Sequence, residues 1–234
     1  MPIARVLFEA LARKRLLNVP VWLWAAFIAV SAVFLLVPEI DLAVSRTFYT
    51  PDIGFETKGM WYERLVHRSV GVSLVLGNIA LIVMWGVNAL VNPRVIDFGG
   101  KEVLFLLAFL GLGPGLLVNS LLKENWGRAR PADIVQFGGN REFTPAFVLS
   151  DQGGRSFSSG HAAASFFWIL VALLIAPRQK WWVFLAVAYC FVVSWMRIAA
   201  GGHFLSDIIT SYFMMAILAL AMYGAAYRKR KSAS

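Results

Sequence analysis

Six stretches of this chain are apolar almost without interruption: 19–37, 70–91, 103–122, 161–176, 181–196 and 205–226. Their lengths run from 16 to 22 residues, near the ~20 that an α-helix needs to cross about 30 Å of hydrocarbon. Within lipid every backbone N–H and C=O has to be bonded inside its own segment, so the runs are predicted as helices and not strands. The fourth and fifth are short and joined by Pro177-Arg178-Gln179-Lys180, which predicts an antiparallel helical hairpin. Trp22, Trp24, Trp181 and Trp182 fall near run ends, the depth that amphipathic rings prefer. The first run is too long for the apolar core of a cleaved leader, and no A-x-A-like site precedes Pro38-Glu39, so it is expected to stay as an anchor. No internal repeat or low-complexity segment interrupts the pattern. The expectation is an all-α polytopic membrane protein, one integral membrane domain over 1–234 with six transmembrane helices.

Composition narrows the alternatives. Hydrophobic residues make up 59% of the 234, and charged ones only 15%, where about 25% charged is usual in soluble domains. A soluble domain of this length cannot hide so much apolar side chain. Disorder is excluded by the same excess. One cysteine, Cys190, excludes a disulfide framework, and with three histidines it leaves no Cys/His metal site.

Net charge is +9, from 22 Lys+Arg against 13 Asp+Glu. The basic residues lie between the apolar runs, so they read as topology signals and membrane-surface contacts rather than a nucleic-acid face. Six crossings put both termini on one side, with Arg5, Arg13, Lys14, Arg15, Arg94, Lys101, Arg178, Lys180 and Arg228-Lys229-Arg230-Lys231. The other side carries Arg46, Lys58, Arg64, Arg68, Lys123, Arg128, Arg130, Arg141, Arg155 and Arg197. Half of this second group has a chemical use, described next. With those five set aside the bias makes the termini cytoplasmic, and the long loops 39–69 and 123–160 outward.

Three polar clusters then meet on the outward face. Lys123 to Pro131 follows the third run, Ser158-Ser159-Gly160-His161 opens the fourth, and Arg197, His203 and Asp207 bridge the fifth and sixth. Together they suit a tetrahedral oxyanion. Lys123, Arg130 and Arg197 supply cationic donors, and arginine forks match phosphate oxygens in pairs. Ser159 and Gly160 stand where a helix begins, with free N–H groups and the positive dipole end. His203 and Asp207 are i and i+4, so the carboxylate is expected to hold one ring nitrogen and leave the other as a nucleophile. His161, across the anion, is placed to protonate a leaving oxygen.

Lys-x6-Arg-Pro, then Ser-Gly-His, then Arg-x5-His-x3-Asp resembles the three-part signature of the type-2 phosphatidic acid phosphatases. The match runs from Lys123 to Asp207. The resemblance implies that family's helical bundle, with a catalytic core over about 101–226. It implies His203 as the nucleophile forming a phosphohistidine, Asp207 holding it, and His161 as general acid. Lys123, Arg130, Ser159, Gly160 and Arg197 would bind phosphate, without metal or other cofactor. A multi-pass enzyme of a bacterial inner membrane follows, its site facing the periplasm and its partners a lipid phosphate substrate and membrane lipids. Neither nucleic acid nor a protein partner is implied. The segment with Phe137-Gly138-Gly139, Phe143-Thr144-Pro145 and Asp151-Gln152 is similar to members that remove the lipid A 4′-phosphate. Undecaprenyl diphosphate, phosphatidylglycerophosphate and phosphatidic acid stay open as substrates, as does phosphoryl transfer to an acceptor. Two positions depart from the family pattern: Ser158 replaces a proline, still able to cap the helix, and Met196 replaces a serine that could donate to phosphate.

The remaining polar residues have plainer readings. Arg128 and Arg155 flank the signature and are candidates for headgroup contacts. His67 matches no motif and is expected to be a surface histidine, and Cys190 an inert packing residue. Asp133, Glu142 and Asp151 lack the spacing of metal ligands.

Overall fold

The computed structural model of the chain describes residues 14–90, 98–176 and 179–227. The chain ends, with most of their basic residues, lie outside the described residues, as do Pro177 and Arg178 of the expected hairpin turn. Helix α1 spans Val21–Leu36 and α2 Glu39–Arg46. α3 is Trp61–Leu90, α4 Gly100–Asn125, α5 Gly160–Ile175, α6 Lys180–Ala199 and α7 Leu205–Tyr227. Two short antiparallel ribbons accompany them, β1 (Arg15–Leu16) with β2 (Val19–Pro20), and β3 (Tyr49–Thr50) with β4 (Gly54–Phe55).

The helical expectation holds, but the boundaries move. Pro38 cannot continue α1, and the chain turns by 79° into α2. The segment 39–69, expected as a loop, therefore holds α2, the β3–β4 ribbon and the first turns of α3. That helix starts nine residues before the apolar run, because its opening turns are amphipathic. The third run extends at both ends into α4. Inside it Pro114 removes one backbone donor, and the turns widen to a π-helix over Gly111–Leu122.

Among the described residues four helices are long and apolar enough to cross a membrane, or five with α1 and α2 taken as one bent span. α5, the expected fourth crossing, has 16 residues, about 24 Å at 1.5 Å each, with a break at Phe166 between Gly160–Ser165 and Phe167–Ile175. Its place explains its length. α5 touches α3, α4, α6 and α7, and Ala162, Ala163, Ala164 and Phe167 are buried against them. A helix packed against four others has little lipid-facing surface, and Leu173 is the large apolar residue it leaves exposed. α3 is the opposite: Val72, Val75, Leu76, Ile79 and Val83 are exposed along its length, as a lipid-facing helix requires.

The loops before α3 and after α4 close over one end of the bundle. Phe55, Ala129, Ile134, Phe137 and Phe204 form one apolar cluster joined by Phe48 and Tyr49, and the Ala132 N–H donates to the Gly201 carbonyl at 3.0 Å. This layer fixes the loop after α4 against the α6–α7 turn, and that turn carries His203.

Candidate functional site

Helix ends supply nearly every polar group at the end of the bundle that carries the three signature clusters. Lys123 is in the last turn of α4, Arg197 in the last turn of α6 and Asp207 in the first turn of α7. α5 begins at Gly160, its cap being Ser159, whose Oγ accepts from the Ala162 N–H at 3.4 Å. The cap expected of Ser158 is thus supplied by its neighbour. The Ser158 hydroxyl is buried and has no hydrogen-bond partner among the described residues. A Cβ on Gly160 would lie 2.8 Å from Lys123 Nζ and 2.9 Å from Asn119 Oδ1, so only glycine lets the ammonium close onto the start of α5.

His203 is buried in the α6–α7 turn. Its Nδ1 lies 2.8 Å from the Ser156 carbonyl oxygen. A carbonyl only accepts, so the proton sits on Nδ1 and Nε2 carries the lone pair. The sequence expectation that Asp207 holds this nitrogen directly needs correction: its Oδ2 is 3.7 Å from Nδ1, beyond hydrogen-bond range. That oxygen already accepts from Ser156 Oγ at 2.6 Å and the Phe204 N–H at 2.9 Å. Asp207 therefore acts on the ring through its charge and through Ser156. Burial pushes the His203 imidazole down to about 4 even so, Asp207 opposing the shift and Arg197 adding to it. At neutral pH the ring is uncharged.

Arg128 corrects a second expectation. Its side chain is 0% exposed, so it cannot reach a headgroup. Nη1 donates to Asp207 Oδ1 at 2.6 Å and Ser206 Oγ at 2.8 Å, Nη2 to Asp41 Oδ2 at 2.8 Å, and Nε to the Thr144 carbonyl at 2.8 Å. The guanidinium also stacks 4.3 Å from the Phe204 ring centre. Asp41, from α2, accepts in turn from the Ser206 N–H at 2.9 Å. Two carboxylates around one cation, every oxygen bonded, make a dry scaffold behind the histidine. Arg155 remains at the rim, exposed and ion-paired with Glu124.

Arg197 is buried but not saturated. Its Nη1 faces Glu63 Oε1 at 3.2 Å and His67 Nδ1 at 2.9 Å. Arginine only donates, so His67 accepts there and carries its proton on Nε2. Nε has no partner, and Nη2 lies against Gly202, where any side chain would collide with it. Among the described residues no hydrogen bond or ion pair uses the Nε–Nη2 edge, the fork that can match two oxygens of an oxyanion. His67 is exposed at the surface as expected, its side chain 45% accessible, but it also holds Arg197. Its ring centre is 4.2 Å from that of His161, and it lines the cavity that Arg130 and Arg197 also line. Lys123 stands within electrostatic reach of Arg130 and Arg197, and His161 of Arg197, His203 and Lys123. The structure thus brings together Lys123, Arg130, Gly160, His161, Arg197, His203 and Asp207. Ser194, which would replace the hydroxyl missing at Met196, is turned away onto the Cys190 carbonyl and the Tyr212 hydroxyl. Cys190 is buried among apolar neighbours, as expected. Among the described residues no group of His, Cys, Asp and Glu is arranged to hold a metal ion.

A family model described as the PAP2 superfamily matches residues 102–231, more than half of the chain. The chain belongs to the PAP2 superfamily. It is 30% identical over 210 residues to the lipid A 4′-phosphatase of Francisella tularensis subsp. novicida, an alignment covering 85% of this chain and 91% of that one. To the lipid A 4′-phosphatase of Rhizobium leguminosarum it is 29% identical over 219 residues, 86% of this chain and 92% of the other. Its backbone matches the crystal structure of a transmembrane PAP2-type phosphatidylglycerolphosphate phosphatase from Bacillus subtilis with a TM-score of 0.55. That match has 18% identity and covers 91% of this chain and 98% of the other.

Asp41, Glu63 and His67 lie before the PAP2 match, and sequence reasoning missed them as site residues. One signal was available for two of them: Glu63 and His67 share an i, i+4 face at the amphipathic start of α3. Asp41 offered none beyond its place after Pro38. Ser156 acts through a backbone carbonyl, an atom every residue has.

Proposed function

We propose that this PAP2 protein is an integral membrane phosphatase that removes the phosphate from a lipid phosphate ester, lipid A 4′-phosphate first among its substrates. The observation that carries the reading is the unpartnered Nε of Arg197 near the end of α6, six residues before an uncharged His203 whose proton is committed to Nδ1. An oxyanion seated on the Arg197 fork, with Lys123, Arg130 and the start of α5 around it, presents its phosphorus to Nε2.

His203 Nε2 attacks phosphorus as the bond to the lipid oxygen breaks, and His161, which takes up a proton as the dianionic ester binds beside it, gives that proton to the departing oxygen. The cations neutralise the equatorial oxygens as charge spreads in the transition state. Water then attacks the phosphohistidine. The N–P bond breaks, phosphate leaves, and His161 takes the proton of the water. Asp207 steadies the positive charge that grows on the His203 ring, and Ser156 holds the ring in place. Glu63 and His67 fix Arg197 by one nitrogen so that its other edge stays aimed.

The lipid A assignment is supported by three curated relatives bearing that name at 28–30% identity over about 85% of this chain. Placement adds to it: the site lies at helix ends, where a headgroup would sit, with Arg155 exposed at its rim. We place the protein in a bacterial inner membrane, crossing it six times with α5 as the enclosed fourth crossing. Both termini are cytoplasmic and the site faces the periplasm.

Rapid-quench labelling with a lipid carrying ³²P in its phosphomonoester tests the reading. Acid-labile, base-stable label should appear on His203 before free phosphate does, and His203→Gln should carry none. Free phosphate released by the wild type with no labelled enzyme at any time would overturn the covalent route.

A further inference from the structure

A cavity of about 290 Å³ opens in front of Arg130 and Arg197. It has room for roughly ten waters at ~30 Å³ each, more than one phosphate group fills. Its far wall is basic as well: Lys58 before α3, and Arg64 and Arg68 on the first turns of that helix. Five Lys and Arg line it against two carboxylates, Glu63 and Asp133, and Glu63 is already taken by Arg197. Among the described residues no carboxylate pairs with Lys58, Arg64 or Arg68, and all three are exposed. The arrangement has two costs. Arg64 and Arg68 are like charges at i, i+4, which weakens a helix, and on the reading above the cluster lies on the side that Lys and Arg avoid. Of the outward basic residues that the reacting phosphate does not need, these three share one wall of one chamber.

We infer that Lys58, Arg64 and Arg68 form a second anion subsite, which takes a further phosphate or carboxylate on the same lipid headgroup whose phosphomonoester sits on Lys123, Arg130 and Arg197. The inference rests on the phosphatase reading above and adds a requirement on the substrate. Arg130 and Arg197 line the chamber together with the three, so both anions occupy one continuous space. Arg64 and Arg68 are one turn apart, about 6 Å along the axis, so the subsite can follow a headgroup rather than one fixed point. Two anions on one molecule bind with the second contact made intramolecularly.

Two synthetic substrates test this on the purified full chain in neutral detergent. They share acyl chains, sugar and reacting phosphomonoester. One carries a methyl phosphodiester elsewhere on the sugar, the other a hydroxyl there. The wild type should favour the two-anion substrate at least tenfold in kcat/KM, chiefly through KM, with the preference shrinking as salt is raised. K58Q/R64Q/R68Q should bring the ratio near one, and R64K/R68K should keep most of it. R68Q alone, an exposed change, should lower the ratio part of the way if the triple variant does not fold. An equal wild-type rate on both substrates, or a ratio untouched by R68Q and the triple variant, overturns the subsite. Activation of the one-anion substrate by free methyl phosphate overturns the assignment to the same molecule. If the wild type cleaves neither substrate, the phosphatase reading fails instead.

Discussion

Two arginines, one behind His203 and one in front of it, are nearly equally buried and have opposite fates. Arg128 spends its donors on Asp41, Asp207, Ser206 and the Thr144 carbonyl. Arg197 gives one nitrogen to Glu63 and His67 and keeps Nε buried without a partner. Taking a guanidinium out of water is costly unless its charge and hydrogen bonds are restored. Behind the histidine that restoration is complete, so the group serves as scaffold. In front of it the restoration is partial, which is what the proposed oxyanion would complete. Burial alone does not separate a structural arginine from a binding one; the count of open donor edges does.

If chemistry belongs to the front alone, the largest effects fall there. His203→Ala should reduce turnover to background on every substrate, measured on lipid and on an activated aryl phosphate. His161→Ala should lose about 10²–10⁴-fold on the lipid and recover in part on the aryl phosphate, whose leaving group needs no proton. Rescue of His203→Ala instead would exchange the two roles.

Arg130→Gln, which removes a front cation that pairs with no carboxylate among the described residues, should cost roughly 10²–10³-fold in kcat/KM and leave thermal unfolding in detergent near the wild-type midpoint. Arg128→Met should do the reverse in kind. It strands Asp41 and Asp207 as unpaired buried charges, a loss of about 3–5 kcal/mol that would appear as a lowered midpoint. Equal midpoints for these two variants would erase the distinction between the regions.

Vanadate, a mimic of five-coordinate phosphorus, should raise the midpoint of the wild type. At a hundred times its Kd the gain is about 2.7 kcal/mol, and it should shrink in Arg130→Gln. Vanadate that stabilises Arg130→Gln as well as it does the wild type would place the anion elsewhere.

The smallest effect concerns pH. Burial holds the His203 imidazole near 4, below the ordinary 6.5, so the proposed nucleophile loses its lone pair only as pH falls through about 4. Between pH 7 and 5 the share of neutral His203 should change by only about a tenth. A kcat/KM profile on an activated aryl phosphate that already halves near pH 6.5 would show that the ring is not in the dry setting seen here.

Local chemistry accounts for what could be read without coordinates. An apolar run long enough to cross lipid has to be helical wherever it sits, and the i, i+4 pair of His203 and Asp207 needs only a helix start. The three signature clusters follow directly from run ends that share a face. Tertiary structure alone decided who holds whom. Arg128 meets Asp41 across 87 positions and Asp207 across 79, and Arg197 meets His67 across 130. No period or spacing encodes contacts at such separations; they arise when α2 and the start of α3 fold back onto the bundle end. The same packing put the Ser156 carbonyl, and not the Asp207 carboxylate, on His203 Nδ1, because the Asp207 oxygens were already taken by nearer donors.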